Sequence, residues 1–278
     1  MQRILRTLCA VILLIFLLSA CGDSRQNRNV RFYFLDVGQG DSLLIRTPDG
    51  DILVDASDEA AQALLCLRLE QLGVKSLRLA VFTHPDEDHI GGADGVLARF
   101  PTEEIWISRA PMENEAAQLL LQTAERCGST VTLVQAGDLG QVGEVALSVL
   151  APIGDVSDGG NEGSIVMRVQ YGETAALLMG DADAEAEEDL IARYGSTQLA
   201  CDLLKVGHHG SNTSSTPSFL QSAHPTYAVI SCGAGNSYGH PTGEVLQKLR
   251  DAGIEVFRTD LLGEIAFQSD GTVIKPIS

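Results

Sequence analysis

The sequence predicts a layered α/β fold in which mixed sheets are covered by helices. Short β-type runs joined by a tight turn follow residue 29, and strand-like and helix-like periods then alternate to the C-terminus. With 278 residues the chain can bury a large core in one layered domain rather than two.

Val30 to Val37, Ser42 to Arg46 and Asp51 to Asp55 read as strands. Thr47-Pro48-Asp49-Gly50 supplies the turn between the latter two, Pro48 presetting φ and Gly50 freeing it. Apolar spacing predicts a helix over Glu59 to Leu72, stopped by Gly73. Leu77 to Phe82 is a buried-type strand, followed by a helix over Gly92 to Phe100. Strand, helix and strand repeat at Ile105 to Ile107, Glu113 to Arg126 and Val131 to Val134. Strands at Glu144 to Leu150 and Ser164 to Tyr171 flank a loop rich in Gly and Asp. Thr174 to Met179 ends in Gly180-Asp181 and precedes an acidic helix, Asp183 to Tyr194. Strands at Asp202 to Val206 and Tyr227 to Ser231 alternate with helices at Pro217 to Ala223 and Gly243 to Ala252. Ile254 to Phe257, Glu264 to Phe267 and Thr272 to Ile274 close the chain as strands.

Residues 1–20 read as an export signal, in which Arg3 and Arg6 precede an apolar run, Leu8 to Leu18, that is short for a membrane span. Leu18-Ser19-Ala20-Cys21 resembles a lipobox, making Cys21 the expected site of lipidation; an uncleaved N-terminal anchor is the alternative. Either reading holds the domain expected over 30–278 at the extracytoplasmic face of a membrane, with 21–29 as a flexible polar tether. No obligatory protein partner is inferred.

The formal charge is −18, and without Arg3 and Arg6 the remainder carries 17 basic against 37 acidic side chains, −20. Such a surface repels a polyanion, because nucleic-acid affinity is mostly phosphate neutralisation by Lys and Arg. Tight duplex binding is therefore disfavoured. Outside the export segment Cys66, Cys127, Cys201 and Cys232 show no C-x-x-C spacing and are expected as small buried residues.

The chemistry concentrates in Thr83-His84-Pro85-Asp86-Glu87-Asp88-His89-Ile90-Gly91-Gly92, directly after a buried-type strand. A solvated acidic turn accounts for Asp86, Glu87 and Asp88 but not for two histidines. Imidazole and carboxylate together at a strand end suit Zn, Mn or Fe. Gly180-Asp181 reads as a turn or as a ligand. Of His208 and His209, one suits a ligand and the other a substrate contact.

This stretch resembles the H-x-H-x-D-H signature of the metallo-β-lactamase superfamily, with Asp86 at the middle histidine's position. In that form, and in Phe34-Leu35-Asp36-Val37-Gly38-Gln39-Gly40-Asp41-Ser42, Leu204-Lys205-Val206-Gly207-His208-His209-Gly210-Ser211 and Tyr238-Gly239-His240-Pro241, the chain is similar to the soluble domain of ComEC-type DNA-uptake (competence) proteins. The similarity runs from about Val30 onward, and no polytopic channel accompanies it, so a standalone lipoprotein is expected. The resemblance implies a four-layer αββα sandwich with mixed sheets and one or two divalent metal ions, Zn or Mn. It implies His84 and Asp86 as ligands of one ion, Asp88 and His89 of a second, Asp181 as the bridge and His208 as the residue completing the second site. Asp55 is expected to orient a ligand, because Ala56-Ser57 replaces the usual Thr-Gly after it. Asp36, Gln39 and Asp41 are expected beside the ions. The superfamily's third-motif histidine is missing, and Asn161 is the substitute.

The expected function is metal-dependent hydrolysis of a phosphate ester, as a phosphodiesterase or nuclease, with possible access by single-stranded nucleic acid. Asp88 and His240 are the expected catalytic side chains, with His209, Ser211 and Lys205 on the substrate. Another metallohydrolase, such as a phosphocholine-type esterase or a lactamase, and a catalytically degenerate binding module are the alternatives.

Overall fold

A computed structural model describes residues 28–154, 156 and 160–277. The export signal, Cys21 and the tether up to residue 27 lie outside them. Two mixed sheets pack face to face. The first comprises β1 (Val30–Phe34), β2 (Leu43–Thr47), β3 (Gly50–Val54), β4 (Leu77–Phe82), β5 (Thr102–Ser108), β6 (Thr130–Val134), β14 (Ile265–Ser269) and β15 (Ile274–Ile277), in the order β15-β14-β1-β2-β3-β4-β5-β6. The second comprises β7 (Leu139–Val142), β8 (Val145–Ala151), β9 (Val166–Tyr171), β10 (Thr174–Leu178), β11 (Leu203–Lys205), β12 (Tyr227–Ile230) and β13 (Glu255–Arg258), in the order β13-β12-β11-β10-β9-β8-β7.

Helices α1 (Gln62–Gln71), α3 (Ala93–Arg99) and α4 (Glu115–Cys127) cover the outer face of the first sheet, with α2 (Glu87–Ile90) a single turn before α3. Helices α5 (Ala184–Leu199), α6 (Pro217–Ala223) and α7 (Gly243–Asp251) cover the second, and α8 (Thr259–Leu262) is one turn near the end. The result is the expected four-layer αββα sandwich. Among the described residues no helix is long and apolar enough to cross a membrane.

Side-chain alternation builds the layers. On β4, Leu79 and Val81 face the other sheet while Ala80 and Phe82 face the helices, so the strand reads as a continuous apolar run. On β1, Val30, Phe32 and Phe34 enter the core between the sheets, where Phe34 meets Phe267 edge-on at 6.4 Å. Two elements and one cysteine show where the structure departs from the sequence expectation. Strand β7 went unpredicted because three of its four positions, including the exposed Leu139, escape burial and leave no alternation to read. Helix α5 runs past Tyr194 to Leu199 across a non-helical Gly195. Cys66, Cys201 and Cys232 are buried thiols, but Cys127 is exposed at the end of α4.

The parallel ladders β3-β4 and β10-β11-β12 position the site. Parallel strands end on one side, so the segments after Val54, Phe82, Leu178, Lys205 and Ile230 emerge along one edge of the sandwich.

Candidate metal centre

The loops at that edge are fixed by backbone bonds. The Asp41 amide donates to the Asp88 carbonyl at 3.0 Å, Ala56 to His89 at 2.7 Å and Ser57 to Asp41 at 2.9 Å. Gly40 is required where these loops meet, since its φ is +129° and a Cβ would lie 2.5 Å from the Asp88 carbonyl oxygen. Asp55, Ser57, His208 and His209 hold left-handed φ values of 60°, 58°, 49° and 51°. Such conformations cost on the order of 1–3 kcal/mol each and concentrate at functional sites.

His84, His89, Asp88, Asp181 and His209 converge. Asp181 Oδ1 is 3.2 Å from His89 Nε2, and its Oδ2 is 3.5 Å from His209 Nε2 and 4.0 Å from His84 Nε2. Asp88 Oδ2 lies 3.2 Å from His209 Nε2, and the Nε2 atoms of His89 and His209 are 3.3 Å apart. The ring orientations are set from behind. Asp55 Oδ2 accepts from His89 Nδ1 at 2.8 Å, while its two oxygens also accept from the amide and hydroxyl of Thr83, both at 2.8 Å. His209 Nδ1 donates to the Ser231 carbonyl at 3.0 Å. A carbonyl only accepts, so the proton of His209 sits on Nδ1 and its Nε2 is left to face the carboxylates.

The other expected residues fall around this cluster. The two adjacent histidines exchange the places expected of them: His209 is buried within the cluster, while His208 is part-exposed, with Nε2 3.8 Å from Asp181. His208 Nδ1 lies 3.1 Å from both Asn161 Nδ2 and Thr213 Oγ1, so Asn161 contacts His208 rather than the inner cluster. Asp86 stands at the rim, 3.6 Å from His84 Nε2. Lys205 was expected on substrate, but it is buried, with Nζ 2.7 Å from Asp41 Oδ2 and bonded to the Val206 carbonyl at 2.8 Å, so its charge is paired inside the fold. Ser211 is also buried, its hydroxyl accepting from Thr213 within the loop, so it shapes the loop rather than meeting substrate. Asp41 lies under the cluster, 3.5 Å from His209 Nδ1. Gln39 accepts from the Gly233 amide at 3.1 Å, and Asp36 is exposed beyond it. His240 sits outside His208 with a ring-to-ring distance of 5.6 Å, and its buried Nδ1 has no partner.

Thr83, the Ser231 carbonyl and Ser164, whose hydroxyl accepts from the Asp181 amide at 3.1 Å, were not anticipated. Thr83 adjoins the motif and was open to notice; the other two act across the fold and leave no local signal.

Burial alone would suppress charge here, and the groups overcome it mutually. Burial raises Asp181, but His89 and His209 hold its carboxyl well below the ordinary range. Asp88 is drawn down to about 2 against burial by His209 and His89. Burial lowers His89, but Asp181 and Asp55 raise it well above its usual value. Burial carries His208 and His240 the other way, lowering both.

The donor set fits a divalent cation. His84 Nε2, Asp181 Oδ1 and Asp41 Oδ1 are buried without hydrogen-bond partners, since the short approach of His89 to Asp181 is not in bonding geometry. Two imidazoles with Nδ1 protons engaged behind them point Nε2 at each other and at two carboxylates, an array that calls for positive charge between them. His84, His89 and Asp181 form one group able to grip an ion, and Asp88, His89 and His209 another.

The metallo-beta-lactamase superfamily profile matches residues 35–234. By sequence the chain is similar to ComE operon protein 3 of Bacillus subtilis, 29% identical over 94% of this chain and 35% of that protein. It is similar to competence protein ComA of Neisseria gonorrhoeae, 36% identical over 84% of this chain and 31% of that protein. The chain thus spans about a third of the length of the curated relatives it matches. By structure it resembles the metallo-beta-lactamase fold protein YhfI of Bacillus subtilis, with a TM-score of 0.59 and 11% identity over 87% of this chain and 100% of that one. CmlA, a diiron beta-hydroxylase from Streptomyces venezuelae, gives a TM-score of 0.58 and 14% identity over 90% of this chain and 54% of that one. At these identities the structural likeness concerns the fold alone.

Proposed function

Since the chain belongs to the metallo-beta-lactamase superfamily, a superfamily of metallohydrolases, we propose that it is a phosphodiesterase acting on nucleic-acid phosphodiesters, extracytoplasmic and tethered through Cys21, with residues 30–278 as its hydrolase domain. The observation that carries the hydrolase reading is the convergence of His89 and His209 Nε2, 3.3 Å apart, on Asp88 and Asp181. His84, Asp88, His89, Asp181 and His209 would hold the metal, with Asp86 at the rim. A cation bound there supplies Lewis acidity and acidifies water near neutral pH. The chain's own residues orient the rest. Asp55 and the Ser231 carbonyl fix the tautomers of His89 and His209. Lys205 balances Asp41 beneath them. Outside, the part-exposed His240 beside His208 is the side chain suited to a phosphate oxygen or a leaving alkoxide. The phosphodiester assignment draws on the competence relatives, and the N-terminal signal supports the tether.

The test is metal analysis of the full chain, followed by assay with Mn or Zn on single-stranded DNA, bis-p-nitrophenyl phosphate and a chromogenic cephalosporin. Diester cleavage abolished by chelation is expected, as is loss of at least 100-fold in His84→Ala, Asp88→Ala, Asp181→Ala and His209→Ala with cooperative thermal unfolding retained. Cleavage of the cephalosporin alone overturns the phosphodiester reading, and absence of both metal and turnover favours a binding module.

A further inference from the structure

Among the described residues, Tyr238 is the one aromatic in the set of exposed large apolar side chains, at 67% exposure. Its ring stacks on His240 with centroids 5.8 Å apart and planes 24° apart, and His240 meets His208 edge-on at 5.6 Å. His208 in turn reaches to 3.8 Å from Asp181. The rings make a ladder from the carboxylate cluster to solvent. The turn that carries Tyr238 is tied at both ends by Asn236, whose Nδ2 donates to the Gly233 and His240 carbonyls at 2.9 and 2.6 Å and whose Oδ1 accepts from the His240 amide at 3.0 Å.

A single exposed apolar side chain needs no explanation by itself. Tyr238 differs because its ring is packed on His240, the turn that carries it is fixed by Asn236, and most of the ring stays exposed. Resting on the phosphodiester reading above, we propose that the outer face of Tyr238 stacks on a nucleobase next to the scissile phosphate, making single-stranded nucleic acid the substrate class. Charge explains why a ring would serve here. With 37 acidic against 19 basic side chains the chain has little with which to track a phosphate backbone, whereas a base offers a π-face without regard to charge. In a duplex those faces are covered by neighbouring bases, so the same contact excludes paired strands.

The experiment compares the full chain and its Tyr238→Ala and Tyr238→Phe variants on a labelled single-stranded DNA oligonucleotide and on an abasic strand of equal length. The expected wild-type preference for the base-bearing strand, read as the ratio of kcat/KM values, falls roughly five- to 150-fold in Tyr238→Ala, the loss equivalent to about 1–3 kcal/mol per stacked base. The loss enters through KM, and Tyr238→Phe keeps the preference. An unchanged ratio in Tyr238→Ala overturns the stacking inference while leaving phosphodiester cleavage standing. If the wild type cuts neither strand, the premise fails separately; fluorescence anisotropy with the same two strands then decides the stacking, and equal binding of the base-bearing strand by wild type and Tyr238→Ala overturns it.

Discussion

Glu187 is a buried carboxylate that the metal centre does not touch. From α5 it accepts the amides of Ser215 and Thr216 at 2.6 and 2.7 Å, pinning the loop whose Thr213 contacts His208. Burial pushes its carboxyl from the ordinary 4.5 up to about 7, although the Thr216 and Ser215 bonds and Lys248 pull the other way. The folded chain therefore binds a proton that the unfolded chain releases between these values. Stability from this group is full below pH 4.5 and declines as pH rises to about 7, by up to about 1.4 kcal/mol per pH unit. Glu187→Gln removes the titration and keeps an acceptor. Urea unfolding from pH 4.5 to 7 is expected to show wild-type stability falling relative to the variant, and parallel curves would refute this. The same scale shows what a linear reading reaches. His84, Asp88 and His89 were legible because their spacing is local. Which of His208 and His209 turns inward depends on two left-handed residues and on a carbonyl 22 positions away, and no spacing in the sequence encodes that.

Elements were legible where both faces or one clean face are buried, as on β4 and β1, whereas β7 was not, since three of its four positions escape burial. β7 is an edge strand, paired on one side with β8 and touching the other sheet through Gly140. A Cβ added at Gly140 of β7 would fall inside contact distance of the indole of Trp106 on β5. Gly140→Ala must move either the strand or the indole, and overpacking of this kind costs about 1–3 kcal/mol. Trp106 is the chain's one tryptophan, so its emission reports the site directly. The expected outcome is a lowered unfolding midpoint with a shifted emission maximum. An unchanged midpoint and spectrum would show that β7 does not depend on this contact.

At the scale of the molecule, layered architecture followed from the order of strand and helix periods, because only helices over both outer faces bury so many apolar strands. The convergence of the site did not follow from any one segment; it arises because parallel ladders in both sheets end on the same edge. Net charge also acts at this scale. A nuclease that holds its substrate with six to ten cationic contacts loses about 10³–10⁵ in affinity between 50 and 200 mM salt. Here the formal charge is −18, and long-range repulsion between chain and strand is screened as salt rises. Affinity for single-stranded DNA, measured by anisotropy at fixed metal concentration, is therefore expected to change by less than about tenfold over that range. A steep loss would mean that a concentrated cationic track, rather than the metal centre and the aromatic rim, holds the strand.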